Sequence, residues 1–366
     1  MTSSGHFLII NPGSTSTKLA VYYFNLNHKS IRLIKKASLD HPDTPLGQID
    51  TNETVSEMRT GAVRQFVTTG QFKPDYIMAR GAPLRPLEGG VYEVNTAMLS
   101  DINSARYSQH ASNLGALIGY GLGSEWNIPV YIADPISTDE FELVARISGV
   151  PGIERKSRSH ALNIKASLHK QCALLDLNFS NSSWVVCHMG GGISVAALKN
   201  GRIIDVNDAL LGMGPFSPER AGGLPIAGLL DLVFQGGKNR DEIETLLSHN
   251  SGLKGYLGTG DLRKVEELVA SGDTNAKLIL NAMVYQIAKE IGAMASVLSF
   301  QLNGVLLTGG MAHSRLLCQS ISERIQGVAK IYIQPGENEL EALAEAGLRV
   351  LLGIEPIKMY KQANQI

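Results

Sequence analysis

The chain has 366 residues, and its 33 Lys and Arg against 34 Asp and Glu leave a formal net charge of −1. So even a balance excludes nucleic acid as the main partner, because phosphate backbones demand clustered Lys and Arg. At roughly 100–200 residues per domain the length fits two domains, or one large one.

The first six residues, Met1 to His6, carry no basic segment, and the apolar run after them breaks at Asn11-Pro12-Gly13. This reads as neither a signal peptide nor a membrane span. Cys172, Cys187 and Cys318 are widely spaced with no CxxC pair. Neither a zinc site nor a disulfide framework follows, and free thiols fit a cytoplasmic location. Each cysteine is expected to be a small buried residue.

In chain order, residues 7–10 form a short apolar strand, a Gly/Ser/Thr turn follows at 13–17, and residues 19–24 form a second strand. Residues 40–60 are polar with little periodicity and read as a loop or short helices. Buried-strand runs occupy 76–79 and 130–133. A strand at 184–187, the turn Gly190-Gly191-Gly192 and a strand at 194–198 repeat the opening pattern. Asn200-Gly201 is a type I′ hairpin signal leading into a strand at 202–206. Residues 274–302 read as one helix with Ile279, Met283, Ile287, Ile291 and Met294 on a stripe, ended by a turn at Asn303-Gly304. A strand at 305–307, the turn Thr308-Gly309-Gly310 and a helix at 339–352 follow, with Gly353 and Pro356 as stops. The two strand–glycine turn–strand units form a weak internal repeat and point to two related α/β domains.

Three turns carry candidate chemistry. Asn11-Pro12-Gly13-Ser14-Thr15-Ser16-Thr17-Lys18 offers backbone N–H groups and hydroxyls to an anion. It lacks the GxxxxGK[ST] spacing of a Walker A loop, and a plain turn is its other reading. His188-Met189-Gly190-Gly191-Gly192-Ile193-Ser194 reads as a phosphate loop or a structural bulge. Thr308-Gly309-Gly310-Met311-Ala312, after a strand and before a helix, also suits nucleotide contact.

Together the three turns resemble the layout of the actin, hexokinase and Hsp70 superfamily, where two hairpins grip phosphates from opposite domains and a third loop holds the adenosine. More specifically, Leu8-Ile9-Ile10 with the first turn resembles one signature of the acetate kinase family, whose members phosphorylate acetate, propionate or butyrate. His188 to Val195, with Gly201 closing the hairpin, resembles another. Three further stretches resemble the form found in butyrate-phosphorylating members: residues 215–223, Arg80-Gly81-Ala82-Pro83 with residues 88–92, and residues 159–163. The resemblance covers essentially the whole chain.

It implies a ribonuclease H-like α/β fold of two related domains around an interdomain cleft, residues 1–150 with 340–366 and residues 151–339. It implies ATP and Mg²⁺ as cofactors, a short-chain carboxylic acid, butyrate, as substrate, and a homo-oligomer of two or more copies. Arg80 and Arg220 match the family's substrate-site arginines; alone, each would read as a surface arginine. Asp134 matches an aspartate that organises the metal, or else it caps a turn. Asn11 and Glu339 match residues near the magnesium, with Glu337 as the alternative. Gly13, Ser14, Thr15, Ser16, Lys18, His188, Gly190, Gly191 and Gly192 fall in the phosphate hairpins. Asp261 and Arg263 match a nucleotide-contacting segment in which Leu262 replaces an aromatic residue. Gly309, Gly310 and Ser314 match the adenosine loop. His160 matches one of two family histidines and Lys156 stands where the other would fall, so a donor to the phosphoryl group is His160, Lys156 or neither. His110 matches a further histidine at one remove from the substrate. The small residues Gly81, Ala82 and Pro83 suggest room for a longer acyl chain, unless Ala82 packs into the core. A kinase for acetate, propionate or a branched-chain acid is the nearest rival, and a nucleotide-gated sensor or assembly protein and a sugar kinase are the rivals of other classes.

Overall fold

The computed structural model describes residues 3–41, 52–104, 106–107 and 110–361. The chain divides into two compact units, residues 1–138 with 338–366 and residues 139–337.

The first unit carries a seven-stranded mixed sheet. Its edge-to-edge order is Ile357–Met359, Val91–Glu93, Val130–Ala133, Tyr76–Arg80, Ser4–Pro12, Ser16–Asn25, Ser30–Asp40. Ser4–Pro12 sits centrally, antiparallel to Ser16–Asn25 and parallel to Tyr76–Arg80. Both faces of this region are covered, so Leu8, Ile9 and Ile10 are all fully buried and the strand reads as a continuous apolar run. Helix Asn113–Trp126 lies over Ile77 and Ala79, while helix Glu339–Leu351 lies over Met78 and Phe7. Residues that alternate along a strand face opposite sides, so the two helices sandwich the sheet. The approach of the first helix is close: a Cβ on Gly115 would stand 2.6 Å from the Arg80 carbonyl oxygen.

The second unit has a five-stranded sheet in the order Ile331–Pro335, Gly304–Gly309, Ser183–Met189, Ile193–Lys199, Arg202–Val206. It repeats the first unit's plan. A central strand pairs antiparallel with its hairpin partner and parallel with a later strand, and the third strand of each set follows through a β-bulge. Asn200 and Gly201 both take positive φ, 54° and 77°, as a type I′ turn requires. The expected stripe of Ile279, Met283, Ile287, Ile291 and Met294 is buried in this unit's core.

Two expectations need correction. The long helix spans Thr274–Val297, stopping before residue 302. Its end is a Schellman motif without glycine: Ser299 adopts φ 53°, Ser299 N–H bonds Ser296 O, and Phe300 N–H bonds Ala295 O. Within the stretch read as loop or short helices, Asn52–Thr69 is a single helix of 18 residues, and residues 42–51 lie outside the described part. All three cysteines are buried and free. Among the described residues, no helix is long and apolar enough to cross a membrane.

Candidate functional site

In the first unit, the parallel neighbours Ser4–Pro12 and Tyr76–Arg80 end at the same edge of the sheet. This brings Asn11 and Arg80 side by side, and the start of helix Glu339–Leu351 adds Glu339. Buried Asn11 donates from Nδ2 to Glu339 Oε2 at 2.6 Å and offers Oδ1 to Arg80 Nη1 at 3.4 Å. Arg80 Nη1 also donates to Glu339 Oε1. The three side chains border a concavity of about 490 Å³, shared with Gly13, Ser14, Lys18 and His110. His110 Nδ1 lies 2.8 Å from Ser112 Oγ, and burial with the nearby Arg80 cation holds its pKa below the ordinary value. Ser14, Thr15 and Lys18 are exposed on the turn.

Asp134 is buried at a strained φ of 38°. Its Oδ1 accepts from Gly90 N–H at 2.7 Å, and its own N–H donates to Gly90 O at 3.0 Å. It anchors that turn and is not among the side chains lining the concavity.

The Gly81-Ala82 expectation fails. A Cβ on Gly81 would lie 2.5 Å from Pro135 Cβ, and Ala82 is fully buried in the core with Leu84, Tyr92 and Met98. Neither is among the residues lining the concavity.

In the second unit, the triple-glycine turn gathers side chains from three other segments. Ser217 Oγ donates to Gly191 O at 2.6 Å, and Arg220 Nη1 donates to Ala209 O. A Cβ on Gly192 would stand 2.2 Å from Arg220 Nη1, so the guanidinium lies directly on that glycine. Burial lowers the Arg220 pKa, with Glu219 and Asp208 pulling the other way. On the strand before the turn, fully buried His188 stacks on His160 at 4.3 Å between ring centroids. His160 Nδ1 contacts Ser194 Oγ at 2.9 Å, while Lys156 is exposed. His188 Nε2 lies 3.2 Å from Glu337 Oε1. That contact, with the backbone N–H of Gly310, holds the Glu337 pKa down at about 2. Glu337 and Glu339 therefore serve different clusters: Glu337 joins the histidines, and Glu339 joins Asn11 and Arg80.

Gly309, at φ 92°, packs on Met189 backbone and brings the third glycine turn against the end of the His188 strand. Ser314 caps helix Arg315–Ile325, accepting from Leu317 N–H and donating to Glu266. Asp261 caps helix Leu262–Ala270 and pairs with the exposed Arg263 guanidinium at 2.7 Å. These two side chains bond each other.

The sequence reading missed Arg59. This fully buried side chain donates to the carbonyls of Gly13 and Ser14, both at 2.7 Å. It also missed Ser217. No local pattern marks Arg59, while Ser217 lies within the matched stretch 215–223 without having been given a role.

Paired glycine hairpins, each beside a parallel strand, define a mixed α/β fold of the actin, Hsp70 and sugar-kinase type. A family model described as the Acetokinase family matches residues 155–351, more than half of the chain. The chain belongs to the acetokinase family, whose membership supports an ATP-using kinase with a carboxylate acceptor. Among solved structures, Porphyromonas gingivalis acetate kinase matches with a TM-score of 0.76 at 17% identity, covering 95% of this chain and 100% of that one. A propionate kinase from Francisella tularensis subsp. tularensis SCHU S4 matches at 0.73 and 18% identity, covering 93% and 98%. Entamoeba histolytica acetate kinase matches at 0.73 and 15% identity, also covering 93% and 98%. At such identities these matches speak for the fold.

Proposed function

We propose that this protein transfers the γ-phosphoryl group of ATP directly to the carboxylate of a short-chain fatty acid, converting butyrate and ATP to butyryl phosphate and ADP. The observation that carries the reading is the Arg80 guanidinium set beside the Gly13–Ser16 hairpin in one concavity. A nucleotide sensor needs phosphate loops but no such acceptor clamp.

A carboxylate is ionised at neutral pH and needs no general base. The obstacle is repulsion between two anions, so the chemistry rests on position and charge. In this reading Arg80 takes the acceptor carboxylate and Arg220, over the triple-glycine turn, stabilises the transferring phosphoryl oxygens. His160 is the histidine donor, because its ring stacks in the cluster while Lys156 is exposed. The Gly190–Gly192 turn, Gly309, Gly310 and Ser314 hold the nucleotide, with Asp261 and Arg263 at its outer edge. Asp134 holds the strand end next to Arg80.

Asn11 and Glu339 provide an amide and a carboxylate, hard oxygen donors that suit magnesium. Among the described residues, no group of three or more His, Cys, Asp or Glu could hold a metal. That suits an ion that keeps several waters and binds mainly through phosphate. When bound, such an ion would neutralise phosphate charge.

Butyrate is assigned from the segments around Arg80, His160 and Arg220. Acetate and propionate, for which the relatives above are named, are the rivals. Hydroxamate trapping of acyl phosphate with acetate, propionate, butyrate, isobutyrate and valerate tests the assignment. Butyrate or isobutyrate should give the highest kcat/KM, and acetate as best substrate would overturn it.

A further inference from the structure

We infer that Arg59 is a positioning residue that sets the first glycine turn in its anion-binding shape. The inference rests on the phosphoryl-transfer reading of that turn. Arg59 comes from the middle of helix Asn52–Thr69 and is fully buried. Its Nη1 donates to Gly13 O at 2.7 Å and reaches Ser16 O at 3.5 Å, while Nη2 donates to Ser14 O at 2.7 Å. The remaining carbonyl of the turn is also taken: Thr15 O accepts from His41 N–H at 2.7 Å. Gly13 N–H closes the turn on Ser16 O at 2.7 Å. Every carbonyl from Gly13 to Ser16 thus has a partner within the protein, and those of Gly13 and Ser14 are turned onto the buried guanidinium.

A peptide group whose oxygen is pinned inward has its N–H turned the other way. A nest that accepts an anion needs that orientation, with donors outward and carbonyl oxygens, which would repel phosphate, withdrawn. The planar fork suits this task, since two nitrogens meet two carbonyls at once. A lysine presents one compact ammonium and cannot span both. The buried cation beneath the turn also adds attraction for an anion above it. Exposed Ser14, Thr15 and Lys18 decorate the turn, while Arg59 gives it shape from below.

The test compares the full chain with Arg59→Lys and Arg59→Gln, using thermal melting, calorimetric titration with ATP, and steady-state kinetics in both substrates. Loss of a partner that orients a metal ligand costs about 10- to 100-fold, and a residue that orients a binding turn is expected on the same scale. We expect folded Arg59→Gln to lose that much in kcat/KM for ATP, with KM for the acid within about threefold because Arg80 is untouched. Arg59→Lys should recover part of the loss, because it restores the charge and one bond. A role confined to stability would lower the melting temperature and leave the kinetic constants of the folded enzyme unchanged, and that result overturns the inference. Failure of the unmutated chain to bind ATP would instead remove the phosphoryl-transfer reading beneath it.

Discussion

Gly192→Ala tests the site without touching a charged residue. Gly192 does not have positive φ, so alanine fits its backbone. The added methyl would lie 2.2 Å from Arg220 Nη1 and 2.8 Å from Cζ. Ordinary contact begins near 3.4 Å, so the guanidinium must retreat by more than 1 Å and give up its bond to Ala209 O. The fold should tolerate this, because the obstructed atoms are the end of a flexible side chain. Catalysis should not, since a misplacement of about 1 Å can cost on the order of 100-fold. That corresponds to about 2.7 kcal/mol of transition-state stabilisation. Acyl hydroxamate formation gives kcat/KM, and a thermal melt checks the fold. Residues acting through one group are not additive, so Gly192→Ala combined with Arg220→Ala should be no worse than Arg220→Ala alone. Full activity in Gly192→Ala, or losses that multiply in the double variant, would refute the reasoning.

Gly191→Val should fold, since the nearest atom to its built Cβ is Glu219 Oε2 at 3.8 Å, yet ATP affinity by calorimetry should fall at least tenfold as the turn loses close backbone approach. Ala82→Val should cost about 1–3 kcal/mol by overpacking the core, seen in urea unfolding, and leave the ranking of acids unchanged. Glu337 carries a pKa lowered from 4.5 to about 2, chiefly by its contact with His188. A depressed carboxylate stabilises the fold above its unfolded pKa, and this contribution disappears as pH falls from about 4.5 through about 2. Urea midpoints at pH 7, 4.5 and 3 should therefore drop less steeply in Glu337→Gln than in the unmutated protein.

The hairpins were legible because glycine clusters and strand alternation are local signals. The buried stripe of helix Thr274–Val297 was legible for the same reason, but its end was not. Ser299 takes the left-handed position that a sequence reader looks for in glycine. Helix Asn52–Thr69 was missed because its polar composition gives no sharp apolar face, and Arg59 was missed with it. The Arg80, Asn11 and Glu339 contacts come from strand order and a distant helix start, which spacing cannot express. Gly81 and Ala82 were misassigned because smallness has two causes. Here it reflects close packing on Pro135 and the core, rather than space for a ligand.

The two proposed substrate arginines share a design that makes lysine a poor substitute. Each is tied down through Nη1: Arg80 to Glu339 and Asn11, and Arg220 to Ala209 O. Holding the fork by one corner restricts its orientation and, in the proposed reaction, leaves the other nitrogens for an oxyanion. The anchors differ in charge. Glu339 offsets much of the Arg80 cation, which suits a group that orients an acceptor carboxylate through hydrogen bonds. Ala209 O is neutral, and the carboxylates of Glu219 and Asp208 act on the Arg220 cation without being its hydrogen-bonded anchor. A lysine can satisfy the anchor or reach the substrate, but its single nitrogen cannot fix a plane while doing both. Arg80→Lys and Arg220→Lys should therefore each lose at least about tenfold in kcat/KM, approaching the roughly 100-fold loss expected for alanine. Arg80→Lys should act mainly on KM for the acid, and Arg220→Lys mainly on kcat. Lysine variants that retain unmutated kcat/KM would show that charge alone suffices and that the anchored fork has no part in the reaction.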